Sequence, residues 1–244
     1  MPGSSLAECG AVAIERRDAI VLALDTAGSA CSVAVGRGAL VLAREHRDMR
    51  HGHAEALLPM IDRTTAVAGL HAGDMAVVAV SVGPGGFTGI RAGLAAAQGL
   101  ALASGAALVG VTSFAAVAAK LPRHDNPLLV VLDSRREDFY VQLFAQDGTA
   151  LGEPAAVSPD DLGRFATTAI GDAPLRIAGD MAEGAAEALR SRSGMTIIPG
   201  SAPDAIGVLA AASRQAFIVR ARPLYLRPPD VSFPKRPVHP RAAP

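Results

Sequence analysis

Between Arg91 and Lys120 the chain carries no charged side chain. The span Ala92 to Ala119 is long enough to cross a membrane, but Gly and Ala dominate it and Gln98, Ser104, Gly105, Thr112 and Ser113 interrupt it. Those breaks favour a buried helix, a short strand ("ALVGV") and a second helix ("SFAAVAAKL") inside a folded core, with no membrane span. The flanking segments have the same character. "AIVLALDTAG", Ala19 to Gly28, is a continuous apolar run ending in Asp-Thr and a glycine, a buried strand that stops at a turn. "ACSVAVG" and "ALVLAREH" read as two more strands of an antiparallel meander. A helix follows from about His53 to Gly69, and "MAVVAVSVG" is a further buried strand before a glycine-rich loop.

The element order is β-β-β-α-β-α-β-α, that of the ribonuclease-H-like unit duplicated in actin and its ATPase relatives. A second pass starts at "PLLVVLDSRREDFYVQLFAQDGTAL" and weakens from Ser158 to Gly200, and "PDAIGVLAAASRQAF" is a last helix. The expected fold class is α/β: two ribonuclease-H-like lobes of the actin-like ATPase (ASKHA) superfamily, the second lobe reduced. Residues 1–18 form an N-terminal extension and residues 19–115 the first lobe, to which a helix over 203–219 returns. Residues 116–202 form the second, smaller lobe, and 220–244 a basic, proline-rich tail whose charges are solvated or touch RNA phosphates.

Half of the 244 residues are hydrophobic, so the chain is globular rather than disordered. Tryptophan is absent and aromatics are 4%, which argues against base-stacking modules. Lys+Arg and Asp+Glu balance at 23 each, so no global field recruits an anionic partner. Cys9 and Cys31 make no disulfide framework and read as reduced thiols of a cytoplasmic protein. Met1 to Asp18 lacks the basic and long apolar regions of a signal peptide.

Two stretches pose the functional question. In "LDTAGSACSVAV", Asp25, Thr26, Gly28 and Ser29 offer a carboxylate, hydroxyls and free backbone N–H groups to a phosphate. The same residues make an ordinary tight turn between strands. "GPGGFTG" precedes a helix, as anion-binding loops do, but Ile90 and Arg91 follow Gly89 where a P-loop has Lys and Ser/Thr. Its glycines serve equally to permit positive φ and close approach.

The segments "IVLALDTAGSACSVAV", "HAEALLPMID", "VGPGGFTGIRAGLAAAQGLA" and "PLYLR" together resemble the TsaB (YeaZ) family, from about Ala19 to Asp230, with Gly83 to Ala101 the most diagnostic part. The resemblance implies a non-catalytic relative of TsaD, the actin-like subunit that makes threonylcarbamoyladenosine in tRNA. It implies TsaD and TsaE homologues as partners, a homodimer when alone, and tRNA reached only through the complex. It also implies no catalytic, cofactor-binding or metal-ligating residue in this chain, with ATP and metal on the partner subunits. The catalytic relative carries a His-x-x-x-His metal pair; the matching positions here are Ser113 and Val117, and neither replaces an imidazole ligand. Glu137 stands where the family has a glycine, and its side chain and charge would crowd a phosphate. His46, His51 and His53 make no i,i+4 pair, since Leu57 follows His53 by four, and read as surface residues. The family is also catalogued with M22 peptidases, so an M22-type (glyco)peptidase or an actin-fold nucleotide-binding enzyme acting alone is the alternative. Ser29, Ser32, Ser81 and Ser113 show no triad context.

The helices point to a partner instead. On the helix from His53, apolar or small residues cover an arc of about 200°, where one core needs roughly 100°. Ala54, Leu57, Ile61, Thr65 and Ala68 hold one part, and Ala56, Met60, Thr64 and Val67 extend it. On the next helix Gly89, Gly93 and Ala97, and likewise Ala92, Ala96 and Leu100, repeat every four residues, rows that admit a closely packed neighbour. Ala56, Met60, Thr64, Val67, Gly89, Ala92, Gly93 and Ala96 are therefore the expected interface, which the resemblance implies to be a helical bundle with TsaD.

Overall fold

The structure, a computed structural model, describes residues 18–38, 40–214 and 218–227; the expected extension before Asp18 and the tail after Arg227 lie outside the described residues. Strands β1 (Ile20–Asp25), β2 (Ala30–Arg37) and β3 (Leu40–Asp48) form the meander. They are followed by α1 (His53–Val67), β4 (Val77–Gly83), α2 (Phe87–Ser104), β5 (Ala107–Thr112) and α3 (Ser113–Lys120). The second half holds β6 (Leu128–Asp133), β7 (Phe139–Phe144), β8 (Ala155–Val157), α4 (Leu162–Ile170), β9 (Leu175–Ala178), α5 (Ala182–Ala188) and β10 (Met195–Ile197). Helix α6 (Ala205–Ser213) and β11 (Ile218–Val219) close the described chain.

The first sheet runs β11-β5-β4-β1-β2-β3 and the second β10-β9-β6-β7-β8. In each, the first strand of the lobe pairs antiparallel with the second and parallel with the fourth. The two sheets thus repeat one ribonuclease-H-like order, and the chain has the two-lobed actin-like fold. The second lobe is the smaller copy: its outer strands β8 and β10 have three residues each, against nine in β3 and six in β5.

Strand β1 shows why a continuous apolar run was needed. It is buried on both faces and its side chains alternate. Leu22 and Leu24 meet Leu57, Met60, Ile61, Ile90 and Leu94 of α1 and α2. The smaller Val21 and Ala23 meet Ala115, Ala116, Val208 and Ala211 of α3 and α6. Each fully buried Leu or Ile contributes roughly 1.5–3 kcal/mol. Helix α3 is apolar all round because it lies between the lobes. Ala115, Ala116 and Ala119 face the first sheet, whereas Phe114 and Val117 pack with Leu128, Val130 and Leu132 of the second.

The helix expected over 203–219 is observed over Ala205–Ser213. Asp204 caps it, its carboxylate accepting from the Gly207 N–H at 2.8 Å. Phe217 lies outside the described residues, and Ile218 and Val219 pair with Val111 and Gly110 as an edge strand. From there the chain crosses the first lobe. Leu224 N–H donates to the Val82 carbonyl at 2.8 Å, and the Tyr225 ring stacks on Phe87 at 5.2 Å between centroids. Arg227 pairs with Asp138 of the second lobe.

Candidate partner face and the cleft beside it

Helices α1 and α2 lie together over one face of the first sheet. Their inner sides are spent on that sheet. Met60 and Thr64 are buried, as are Gly89 and Gly93. The two glycines answer to the β1–β2 turn: a Cβ on Gly89 would overlap the Thr26 carbonyl oxygen, and one on Gly93 the Thr26 hydroxyl. Thr26 Oγ1 in turn donates to the Gly89 carbonyl at 2.8 Å, and Gly86 N–H donates to the Ala27 carbonyl at 2.7 Å. The glycine loop and the turn are therefore bolted to each other. This corrects four members of the expected interface, because Met60, Thr64, Gly89 and Gly93 face inward. The wide arc of α1 is taken up by β2, β3 and α2, and the small-residue rows of α2 by the turn at Thr26.

The outward side of α2 is apolar nonetheless, and α1 adds single apolar residues at the two edges of a charged strip. Val67 is 78% exposed, and Ala56, Ala92 and Ala96 are half-buried at its edge. Leu102 at 87% and Leu58 at 51% are exposed leucines of the two helices that the expected interface does not include. Ala66, Ala95, Gly99 and Ala103 lie exposed with them, and α2 carries no charge after Arg91. On α1 Glu55 and Asp62 lie exposed between Leu58 and Val67, and Arg63 beside Val67 makes a forked pair with Glu45 of β3 at 2.7 and 3.1 Å.

At the N-terminal ends of the two helices a cavity of about 550 Å³ opens, lined by Thr26, Gly28, Arg50, His51, His53, Gly86–Gly89 and Arg135. Of the four residues of the degenerate phosphate turn, Thr26 and Gly28 line it and Ser29 is exposed beside them, whereas Asp25 is fully buried behind. Arg135 reaches across from the second lobe, its guanidinium 3.4 Å from the Gly28 carbonyl and against Gly86. Its φ of 61° is the sole positive value for a non-glycine among the described residues. Glu137, expected to crowd this place, is exposed and does not line the cavity; Arg135 fills the mouth instead.

His53 was expected on the surface and is buried. Burial lowers its pKa, its ring bonds the Ala30 carbonyl, and Nε2 has no partner. No group of three metal-ligating side chains occurs among the described residues. A metal does not fit at the positions matching the His-x-x-x-His pair. The Ser113 hydroxyl donates to the Pro84 carbonyl at 2.9 Å, and Val117 is apolar core between the lobes. Ser32, Ser81 and Ser113 are buried too, so none is open to a peptide substrate. No helix of the described residues is long and apolar enough to cross a membrane.

Asp25 carries a testable cost. Its Oδ1 accepts from Ala27 N–H at 3.3 Å, but Oδ2 has no partner, and burial raises its pKa. A raised carboxyl penalises the native state once pH exceeds the unfolded pKa of about 3.9, because ionisation is then easier in the unfolded chain. Asp25→Asn is therefore expected to raise the urea midpoint at alkaline pH, with the gain shrinking as pH falls toward that value. A midpoint unchanged or lowered at high pH would refute the cost.

Residues 47–195 match the family described as TsaD, tRNA N6-adenosine threonylcarbamoyltransferase. An uncharacterised protein of Mycobacterium tuberculosis (strain H37Rv) is 33% identical over 215 residues, 86% of this chain and 92% of that one. The tRNA threonylcarbamoyladenosine biosynthesis protein TsaB of Escherichia coli is 33% identical over 129 residues, 52% of this chain. YeaZ from Pseudomonas aeruginosa superposes with a TM-score of 0.71 at 27% identity, covering 85% of this chain and all of that one. The chain belongs to the TsaB branch of the TsaD family. It spans about half the length of the E. coli relative, 55%. The glycine segment Gly85–Gly89 is thus the structure that locks α2 onto the first turn.

Proposed function

We propose that the chain is a non-catalytic docking subunit of the cytoplasmic machinery that installs threonylcarbamoyl on the adenosine beside the anticodon of tRNA. It engages TsaD through α1 and α2 in a helical bundle and pairs with a second copy through the same face when alone. TsaE joins the assembly, and tRNA is met only through it. The observation that carries this reading is the uncharged outward side of α2, with Leu102 exposed near its end, on a helix pair of this family. The absent metal set at Ser113 and Val117 supports it, since group transfer from threonylcarbamoyl-adenylate to the adenine amine then falls to the partner. The chain acts by holding TsaD in an active arrangement, a shift of population rather than a supplied ligand.

The test is reconstitution with TsaD, TsaE, the adenylate-forming enzyme and unmodified tRNA. Modified nucleoside is expected to accumulate over repeated turnovers only when the chain is present. Equal accumulation without it would sink the docking role, and transfer by the chain alone would sink its non-catalytic status.

A further inference from the structure

Behind the hinge between the lobes lies a second cavity of about 250 Å³. Its walls are the end of α3 and the linker after it, the end of β7 with the following turn, and Arg214 just past α6. Arg123, Arg176 and Arg214 line it from three separate parts of the chain, together with His124. Asp147 is the sole carboxylate among the described residues that line it. Three arginines and one acid thus line one cavity.

Arg176 is the unusual member. It sits on β9, is only 7% exposed, and makes one side-chain hydrogen bond, from Nη1 to the Pro122 carbonyl at 3.3 Å. Burial alone lowers its pKa, and no carboxylate offsets that effect. A buried cation without a counter-ion is costly, and two further cations at the same cavity add repulsion. Apart from that bond to the α3–β6 linker, nothing in the docking role uses this charge.

We propose that the hinge cavity binds a phosphate-class oxyanion. The planar guanidinium fork matches phosphate oxygens two at a time, and arginines from three segments surround one such group. A cavity of this volume takes a phosphate group with its nearest waters. Because its walls come from both lobes, a bound anion also ties α6 and the α3–β6 linker to β7 and β9. The site is independent of the α1–α2 face.

The experiment titrates inorganic phosphate into the full chain, with chloride at matched ionic strength as the reference. The native protein is expected to gain about 2–4 °C in Tm at about 10 mM phosphate. Arg123→Gln and Arg214→Gln, both on the exposed rim, are each expected to weaken binding about tenfold, the loss of one charged hydrogen bond. Arg176→Met abolishes it if it folds; the rim variants decide the matter if it does not. Arg190→Gln, exposed and paired with Glu187 elsewhere, leaves binding unchanged. No stabilisation beyond chloride, or an equal response in the native chain and both rim variants, would overturn the site. A short single-stranded RNA separates the two sources of phosphate: competition assigns the site to an RNA backbone, and absence of competition to a free phosphate or a small phosphorylated molecule.

Discussion

Gly89→Ala is expected to lower Tm by about 6–12 °C, whereas Gly99→Ala, ten residues further along the same helix, is expected to raise it. Alanine is the better helix former by about 1 kcal/mol at either position. At Gly99 a Cβ meets open space, so that gain is kept. At Gly89 a Cβ would overlap the Thr26 carbonyl oxygen, which is backbone and cannot swing aside. Sliding α2 outward would break the Thr26–Gly89 and Ala27–Gly86 hydrogen bonds and drag Gly93 off Thr26. Overpacking costs about 1–3 kcal/mol and each of the two lost hydrogen bonds about 1 more, so after the helix-propensity gain a net loss near 3 kcal/mol remains. Thermal scans of the two variants beside the native chain give the answer. A Gly89→Ala protein as stable as Gly99→Ala would mean that the turn and α2 are not locked together.

The same pair of glycines marks where sequence reading reached its limit. The charge-free span Ala92–Ala119 was legible because its polar breaks divide it into helix, strand and helix, and the strand run Ala19–Asp25 because both-face burial leaves no other pattern. The short helix of the junction, α3, was legible for the same reason. A row of small residues every four positions is different: it announces a close neighbour without naming it. Gly89 and Gly93 meet Thr26 of their own chain, a residue far away in sequence. Leu102 escaped notice because a leucine near the end of an apolar helix looks like core, and only the sheet's edge decides that it points outward. Arg135 and the buried His53 were missed on similar grounds, since one gains its place from the opposite lobe and the other from the β1–β2 turn. At Ile218–Val219 pairing with β5 replaced the helix expected over those residues.

Val67→Asp with Leu102→Asp is expected to leave the monomer folded and to weaken its association with TsaD by at least about a hundredfold. Both side chains are more than three-quarters exposed, at 78% and 87%, so the isolated chain loses little packing and its Tm should stay near the native value. In a helical bundle each would become buried. Removing such a contact costs about 1.5–3 kcal/mol per residue, and an unpaired carboxylate in its place adds to the cost. Ile197→Asp serves as the control: it is 40% exposed on β10 of the second lobe and should bind as the native chain does. Titration calorimetry against TsaD measures the affinities, and sedimentation of each variant alone shows whether the homodimer falls apart in parallel. Loss of both assemblies together means that one face serves them in turn. Loss of the homodimer with TsaD binding intact would separate the two surfaces and remove α1 and α2 from the role proposed for them. An unchanged affinity in both assemblies would leave the apolar face without a partner, and the docking surface would then have to lie elsewhere on the chain.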